Sequence, residues 1–282
     1  MDKKQQALDG DKNILTYAQE IRAFDYSRSE LELVGRCIPA DGRIPGDYVG
    51  VVRRSDVTSI ATMDGMGKGL FAFLHAHTVA QKYFIGAHRN GTEPTLEEMS
   101  EKFAKVSLSG KFFFSAFMLV EVHPDNNKEG WNNVTIYGMG QPAPLIYRNQ
   151  QRMIEVLPRL KGVAIGVPRG DDKAPYAKVS TYLQPNDIML LFSDGVSEAR
   201  DKKGHMFGDT RIEGYKRRHS ETNRLYDIKE AFLGHADREL DELVDGLIEE
   251  TKIHCGIDPD DDEPKFQDDI TFVAIRPRLN DE

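Results

Sequence analysis

The chain has 282 residues and a net charge of −9 at pH 7, with two cysteines, Cys37 and Cys255. This length allows one large domain with a substantial core. The acidic balance and the lack of a Lys/Arg-rich tract argue against nucleic-acid binding, and two cysteines are too few for a disulfide framework or a zinc site. No apolar stretch approaches the roughly 20 residues of a membrane helix, and the N-terminus has no apolar signal core, so we expect no membrane span and a cytoplasmic location.

The first 28 residues are expected to form a polar segment with one short helix. Apolar residues recur at helical spacing from about Lys12 to Phe24. One domain is expected to cover residues 29–282. About thirty residues are too few for a sensor domain of ordinary size, so we expect signal input from a partner protein or from homodimerisation.

Alternating and fully apolar runs predict many strands and fewer helices. The predicted strands are Leu31–Ile38, a hairpin from Asp47 to Asp64, Phe112–Val122, Asn133–Met139, Leu145–Arg148, Met153–Leu157, Ser180–Leu183, Ile188–Ser193 and Asp269–Arg276. The helical patterns run over about Leu70–Ile85, Leu96–Val106 and Asp227–His254. Because most strands are connected locally, the pattern predicts an α+β fold of antiparallel sheets with helices packed outside them.

Two aspartates stand at facing positions of the predicted hairpin. If Ser55 and Asp56 form a two-residue turn, Asp47 pairs with Asp64 and their Cβ atoms lie about 5 Å apart. Like charges at this separation repel by about 1 to 4 kcal/mol, depending on the dielectric. Clustered carboxylate oxygens suit Mg²⁺ or Mn²⁺, which would offset this repulsion.

A second pair of aspartates flanks two further strands. Asp194 follows the apolar run that ends at Ser193, and Asp268 precedes the final strand. If these strands are antiparallel neighbours, the end of one lies beside the start of the other. An Asp-Gly pair at a strand end is also ordinary turn chemistry, so each aspartate alone is a weak signal and the set of four is the stronger one.

Other motifs fit functional patterns poorly. Gly67 and Lys68 suggest a phosphate-binding loop, but Thr62 stands where its first glycine belongs. His75 and His77 are two positions apart in a predicted helix, so they face different directions and are expected to be ordinary surface or partly buried histidines.

The aspartates lie in an ordered set of motifs that resembles a known family. The motifs are Gly46-Asp47-Tyr48, Asp64-Gly65-Met66-Gly67-Lys68-Gly69, Phe192-Ser193-Asp194-Gly195-Val196-Ser197-Glu198-Ala199-Arg200 and Asp268-Asp269-Ile270-Thr271. Together they resemble the metal-dependent type 2C protein phosphatases (PPM family), in the bacterial branch typified by SpoIIE and RsbU. The resemblance extends from about Leu33 to Arg276.

This resemblance implies a four-layer α/β/β/α sandwich and a centre with two Mn²⁺ or Mg²⁺ ions. By motif, Asp64 would bridge both metals, with the Gly65 carbonyl beside it. Asp194 and Asp268 would hold one metal, and Asp47 would serve the other, directly or through water. The implied activity is hydrolysis of phosphoserine or phosphothreonine on a bacterial signalling protein, such as an anti-sigma factor antagonist.

Three features leave alternatives open. Asp269 is expected to point away from the metals, because side chains alternate along a strand. No residue matches the phosphate-binding arginine of the eukaryotic relatives, and Arg36 and Arg43 are either phosphate contacts or ordinary surface arginines. The rival functions are a non-catalytic binding module with the same fold and a different two-metal hydrolase, of which a nuclease is disfavoured by the acidic charge.

Overall fold

The structure is a computed structural model that carries side chains. It describes residues 23–28, 31–40, 44–54, 57–65, 67, 72–74, 76–77, 107–108, 111–112, 114–125, 127–160, 162, 164–166, 177–208, 227–261 and 264–278.

Two antiparallel sheets form the centre of the molecule. The first sheet has six strands in the order β1-β2-β13-β12-β9-β10, and the second has five in the order β11-β8-β7-β4-β3. In chain order the strands are β1 (Ala23–Arg28), β2 (Leu31–Ile38), β3 (Asp47–Arg54), β4 (Val57–Gly65), β5 (Ser107–Leu108), β6 (Lys111–Phe112), β7 (Ser115–Pro124), β8 (Asn132–Met139), β9 (Leu145–Arg148), β10 (Met153–Val156), β11 (Lys178–Leu183), β12 (Ile188–Phe192) and β13 (Ile270–Pro277). Strands β5 and β6 form a separate two-stranded sheet.

Three helices are complete within the described ranges. They are α1 (Asp194–Ser197), α2 (Ile228–His235) and α3 (Leu240–Cys255). Asp227 caps α2 by accepting hydrogen bonds from the amides of Lys229 and Glu230, and α3 ends at Gly256, which has φ +70°. Residues 72–74 and 76–77 also have helical backbone.

The core has three layers of apolar contacts, which follow from the alternation of side chains along each strand. Leu33, Ile60 and Val273 belong to a cluster that packs between the two sheets. Phe272, on the opposite face of β13, packs with the helices α2 and α3. On the outer face of the second sheet, Ala76 packs with Met63 and its neighbours. The layers therefore run helix, sheet, sheet, helix, and the predicted four-layer α+β sandwich is confirmed.

Several predicted elements differ in detail. Ala23 and Phe24 lie in β1 and not in a helix, because this segment pairs with β2 along its whole length; residues 12–22 of that predicted helix lie outside the described residues. The predicted helix over Asp227–His254 is two helices, because the backbone at Glu239 is extended, with ψ 153°. The predicted helix over Leu96–Val106 also lies outside the described residues.

Candidate metal centre

Asp47 and Asp64 face each other at one end of the second sheet. Strands β3 and β4 pair with the register Asp47↔Asp64, which confirms the predicted hairpin. Both side chains lie on the face whose apolar residues, Val49 and Ile60, pack between the sheets. Asp47 is 3% exposed, so one carboxyl group of the pair lies almost entirely inside the sandwich.

The first sheet brings Asp194 and Asp268 to the same end of the sandwich. Strands β12 and β13 are antiparallel, with the register Phe192↔Phe272, and the Ser193 amide continues the pairing by donating to the Thr271 carbonyl at 3.1 Å. Asp194 then begins α1, and Asp268 lies two residues before β13. The predicted arrangement of these two strands is confirmed.

Gly195 allows the two segments to approach closely. A Cβ atom at this position would lie 2.0 Å from the carbonyl oxygen of Asp269 and 3.2 Å from the Cβ of Asp268. Such contacts exclude any side chain, so the glycine after Asp194 is required by packing against the residues that precede β13.

The carboxyl groups of the two sheets are close enough to perturb one another. The pKa of Asp64 is raised to about 8, first by burial and then by the negative charges of Asp194 and Asp268. The pKa of Asp194 is raised by burial and then by Asp268, and that of Asp47 is raised by burial and then by Asp64. Mutual repulsion thus links all four predicted aspartates across the two sheets.

Asp64 and Asp194 also share a hydrogen bond. The bond raises the pKa of Asp64 and lowers that of Asp194. A side-chain hydrogen bond thus joins a carboxyl group of the second sheet to one of the first.

Asp269 makes a different set of contacts. Its carboxylate accepts hydrogen bonds from the amides of Ala40, at 2.7 Å, and Gly46, at 2.5 Å. Burial raises the pKa of Asp269, and these amide donors act in the opposite direction. Both carboxylate oxygens therefore face backbone amides of the connection between β2 and β3.

Sequence reasoning missed Thr271 and Cys37, two further polar residues beside the aspartates. The Thr271 hydroxyl donates to Oδ2 of Asp47 at 2.6 Å, and it lies 3.1 Å from the Sγ of Cys37. Thr271 is in β13 and Asp47 in β3, so this hydrogen bond joins the two sheets. The period of two in β13 places Thr271 on the same face as the buried Val273. This alternation is the sequence feature from which the position of the Thr271 side chain could have been predicted.

Of the remaining candidates, Gly65 adjoins Asp64, and the others lie apart from the aspartates or outside the described residues. Gly65 ends β4 and is buried. Arg36 is on the helix-facing side of β2, where its Nε donates to Asp245 of α3 at 3.1 Å, while Arg43 lies outside the described ranges, as does His75. His77 is a core residue that packs against Tyr48, with ring centroids 4.8 Å apart, and burial lowers its pKa to about 4.

The donor chemistry of the four aspartates fits divalent cations. The group offers several carboxylate oxygens whose repulsion a cation would offset, and oxygen ligands suit Mg²⁺ and Mn²⁺. Among the residues described, no three His, Cys, Asp or Glu side chains form a group compact enough to hold a metal ion.

Comparison with known proteins agrees with the motifs. Residues 54–278 match the family described as Stage II sporulation protein E (SpoIIE). The phosphoserine phosphatase RsbU of Bacillus subtilis (strain 168) is 24% identical over 182 residues, which cover 62% of this chain and 49% of RsbU. The chain thus spans about half the length of that relative.

Two solved structures share the fold at low sequence identity. The RsbU and RsbW domains of Rv1364c from Mycobacterium tuberculosis superpose with a TM-score of 0.67 and 14% identity, over 93% of this chain and 64% of that chain. The PP2C phosphatase domain of SpoIIE from Bacillus subtilis, with a fragment of its regulatory domain, gives a TM-score of 0.62 and 16% identity, over 90% of this chain and 64% of that chain. The family match covers most of the chain and the fold agrees with it, so this chain belongs to the SpoIIE family.

Proposed function

We propose that this chain is a metal-dependent protein serine/threonine phosphatase, which hydrolyses phosphoserine or phosphothreonine on a bacterial signalling protein. The observation that supports the proposal is the meeting of Asp47 and Asp64 from one sheet with Asp194 and Asp268 from the other. Three of these carboxyl groups have pKa values raised by burial and by one another. Perturbed carboxyl groups of this kind cluster at functional sites.

The proposed cofactors are two divalent cations, Mn²⁺ or Mg²⁺. Asp64 would serve both cations, with the Gly65 carbonyl oxygen beside it. Asp194 and Asp268 would hold one cation, and Asp47 would serve the other, directly or through water. Two such cations, when bound, supply hydroxide near neutral pH and neutralise charge on a phosphoryl group.

The carboxyl groups must give up protons to become ligands. Because the pKa of Asp64 is about 8, it carries a proton at pH 7, and ligation releases this proton. Cation affinity is therefore expected to rise with pH between about 6 and 8.

The proposed substrate is a phosphorylated regulatory protein, such as an anti-sigma factor antagonist, in the cytoplasm. Similarity to a phosphoserine phosphatase supports phosphoserine as one substrate residue. An activating partner protein or a homodimer is proposed to control the site. In the part of the chain that the structure describes, no helix has the length and apolarity needed to cross a bilayer.

The proposed phosphatase domain covers residues 29–282. The preceding strand β1 pairs with β2 and so extends the first sheet by one strand at its edge. An N-terminal polar segment is proposed for the residues before it.

Phosphate release is the direct test. The parent chain is incubated with a phosphothreonine peptide, a phosphoserine peptide or p-nitrophenyl phosphate, in the presence of Mn²⁺, Mg²⁺ or EDTA. The Asp194→Asn variant keeps the size of the side chain but removes a ligand charge, so release should fall at least 100-fold. The matched control is Asp241→Asn, an exposed aspartate of α3, for which release should equal that of the parent.

Release that depends on the metal and on Asp194 would support the phosphatase. Single-stranded DNA and nucleotides are included as competing substrates, and turnover of these without turnover of phosphopeptide would favour a different two-metal hydrolase. No release under any condition would contradict the proposal and favour the alternative, a non-catalytic regulatory binding module with the same fold.

A further inference from the structure

Strand β13 and the residue just before it carry two polar side chains, Thr271 and Asp269, at the end that lies beside the aspartates. Side chains that point between the sheets recur at every second position, and further along the strand they are the apolar Val273 and Ile275. The same face begins with Asp269 and Thr271, which are 5% and 3% exposed. Buried polar side chains are costly unless they make hydrogen bonds, so their partners indicate why they are there.

The partners of both residues lie in one stretch of the chain, which comprises the connection between β2 and β3 and the first residue of β3. Asp269 accepts from the Gly46 amide at 2.5 Å and from the Ala40 amide at 2.7 Å, and the Asp47 amide also donates to it. Thr271 donates to Oδ2 of Asp47 at 2.6 Å. Asp269 thus holds the backbone at Asp47, and Thr271 holds the Asp47 carboxylate.

Steric contacts add to this constraint. A Cβ atom at Gly46 would lie 2.7 Å from the Cβ of Ala72 and 3.2 Å from Oδ2 of Asp269. The backbone before Asp47 is therefore enclosed by a neighbouring helical segment on one side and by the Asp269 carboxylate on the other. Because this packing leaves no space for a side chain, the start of β3 has little freedom to shift.

The hydroxyl of Thr271 has one proton, and its two neighbours compete for it. Asp47 is an acceptor at 2.6 Å, whereas the Sγ of Cys37 is at 3.1 Å and can donate its own S–H weakly to the hydroxyl oxygen. Because the contact with Asp47 is the shorter of the two, the Thr271 hydroxyl donates its proton to Asp47 and not to Cys37. This bond fixes Oδ2 and so directs the other oxygen, Oδ1, of the same carboxylate.

We propose that Asp269 and Thr271 are positioning residues, which hold Asp47 in the orientation it needs to serve a divalent cation and are not themselves ligands. The inference rests on the proposed metal-dependent function. Hydrogen-bond partners of metal ligands commonly affect metal affinity by about 10- to 100-fold. Loss of the Thr271 hydroxyl is therefore expected to weaken Mn²⁺ binding by about tenfold or more.

Calorimetric titration of the full chain with Mn²⁺ alone, without substrate, tests this. Thr271→Val removes the hydroxyl at nearly constant volume, and Thr271→Ser restores it. Cys37→Ala is the matched control, because it removes the sulfur beside Thr271 and leaves the bond to Asp47. We expect weaker Mn²⁺ binding for Thr271→Val only. Circular dichroism verifies that each variant is folded. If Thr271→Val does not fold, Thr271→Ala is used in its place.

A double-mutant cycle separates positioning from a general structural effect. If Thr271 acts through Asp47, Thr271→Val should not weaken Mn²⁺ binding further in the Asp47→Asn background. Additive losses, or a Thr271→Val variant that binds Mn²⁺ as the parent does, would overturn the positioning role and leave the proposed function intact. A parent chain that binds no Mn²⁺ would overturn both.

Discussion

The group of aspartates at the candidate metal centre should make the metal-free protein less stable as the pH rises. An aspartate whose pKa is raised on folding keeps its proton in the folded state and loses it in the unfolded state. Asp64 has a folded pKa of about 8, compared with 3.8 as its reference value. Its proton therefore contributes stability that is complete below about pH 4 and is lost as the pH approaches and passes 8.

The size of the effect follows from these two values. Between pH 7 and pH 9 the folded carboxyl group goes from mostly protonated to mostly ionised, while the unfolded one is ionised throughout. Linkage then gives a loss of about 1.4 kcal/mol in the free energy of unfolding. Asp64 is only partly buried, so water screening makes this an upper limit for that residue, and the raised pKa values of Asp47 and Asp194 act in the same direction.

The chosen pH range keeps the buried histidines out of the measurement. Burial lowers the pKa of His77 to about 4 and also lowers that of His235. Both rings are therefore neutral in the folded protein above pH 7, and a histidine with an ordinary pKa of about 6.5 is mostly neutral in the unfolded chain as well. The contribution of these histidines to stability changes at lower pH, where it makes the stability rise with pH instead of fall.

Urea denaturation in EDTA at pH 7, 8 and 9 measures the effect. The parent should lose stability along this series, and Asp64→Asn should reduce the slope, because the amide does not titrate. The control Asp241→Asn should keep the slope of the parent. Mn²⁺ at 100 times its dissociation constant should add about 2.7 kcal/mol. A metal-free parent whose stability is level or rises from pH 7 to 9 would refute the reasoning, as would an equal decline in Asp64→Asn.

Three further substitutions test the framework that supports the site, each by urea denaturation monitored by circular dichroism. Arg148→Met removes the ion-pair partner, at 2.9 Å, of Asp187, which is 1% exposed, and should cost about 3 kcal/mol because a buried charge loses its counter-charge. Arg152→Met breaks an ion pair that is exposed on both sides and should leave the denaturation midpoint unchanged. Gly195→Ala forces a Cβ against the Asp269 carbonyl; it should cost about 1 to 3 kcal/mol and weaken Mn²⁺ binding, and a parent-like result in both measurements would contradict the packing argument.

The hairpin register was predictable because its determinants are local. A two-residue turn fixes the pairing of every residue in both strands, so the positions of Asp47 and Asp64 followed from the spacing between them. The strands that carry Asp194 and Asp268 are far apart in the sequence, and their pairing was inferred from their order and apolar character. The structure confirms both pairings.

The helix boundaries were less predictable than the hairpin register, because the apolar pattern does not show where a helix breaks or where a segment pairs with a strand. The apolar positions from Asp227 to His254 keep a helical period through residues 236–239, so periodicity alone does not reveal the break there. The break depends on the extended backbone at Glu239, which starts a second helix. Ala23 and Phe24 are in a strand because the segment that contains them pairs with β2 along its whole length. This tertiary pairing overrides a short helical pattern.

Asp269 and Thr271 show where sequence reasoning reached its limit. Alternation predicts that Asp268 and Asp269 face opposite ways, but it does not say which partners Asp269 meets, because these partners are amides of the connection between β2 and β3. Thr271 is separated from Asp47 by 224 residues, and a threonine in a strand is ordinary. Only the stacking of the two sheets turns these residues into contacts of Asp47. Since such contacts decide how a ligand is oriented, a motif can identify the four aspartates while the residues that hold them in place depend on the packing of the whole sandwich.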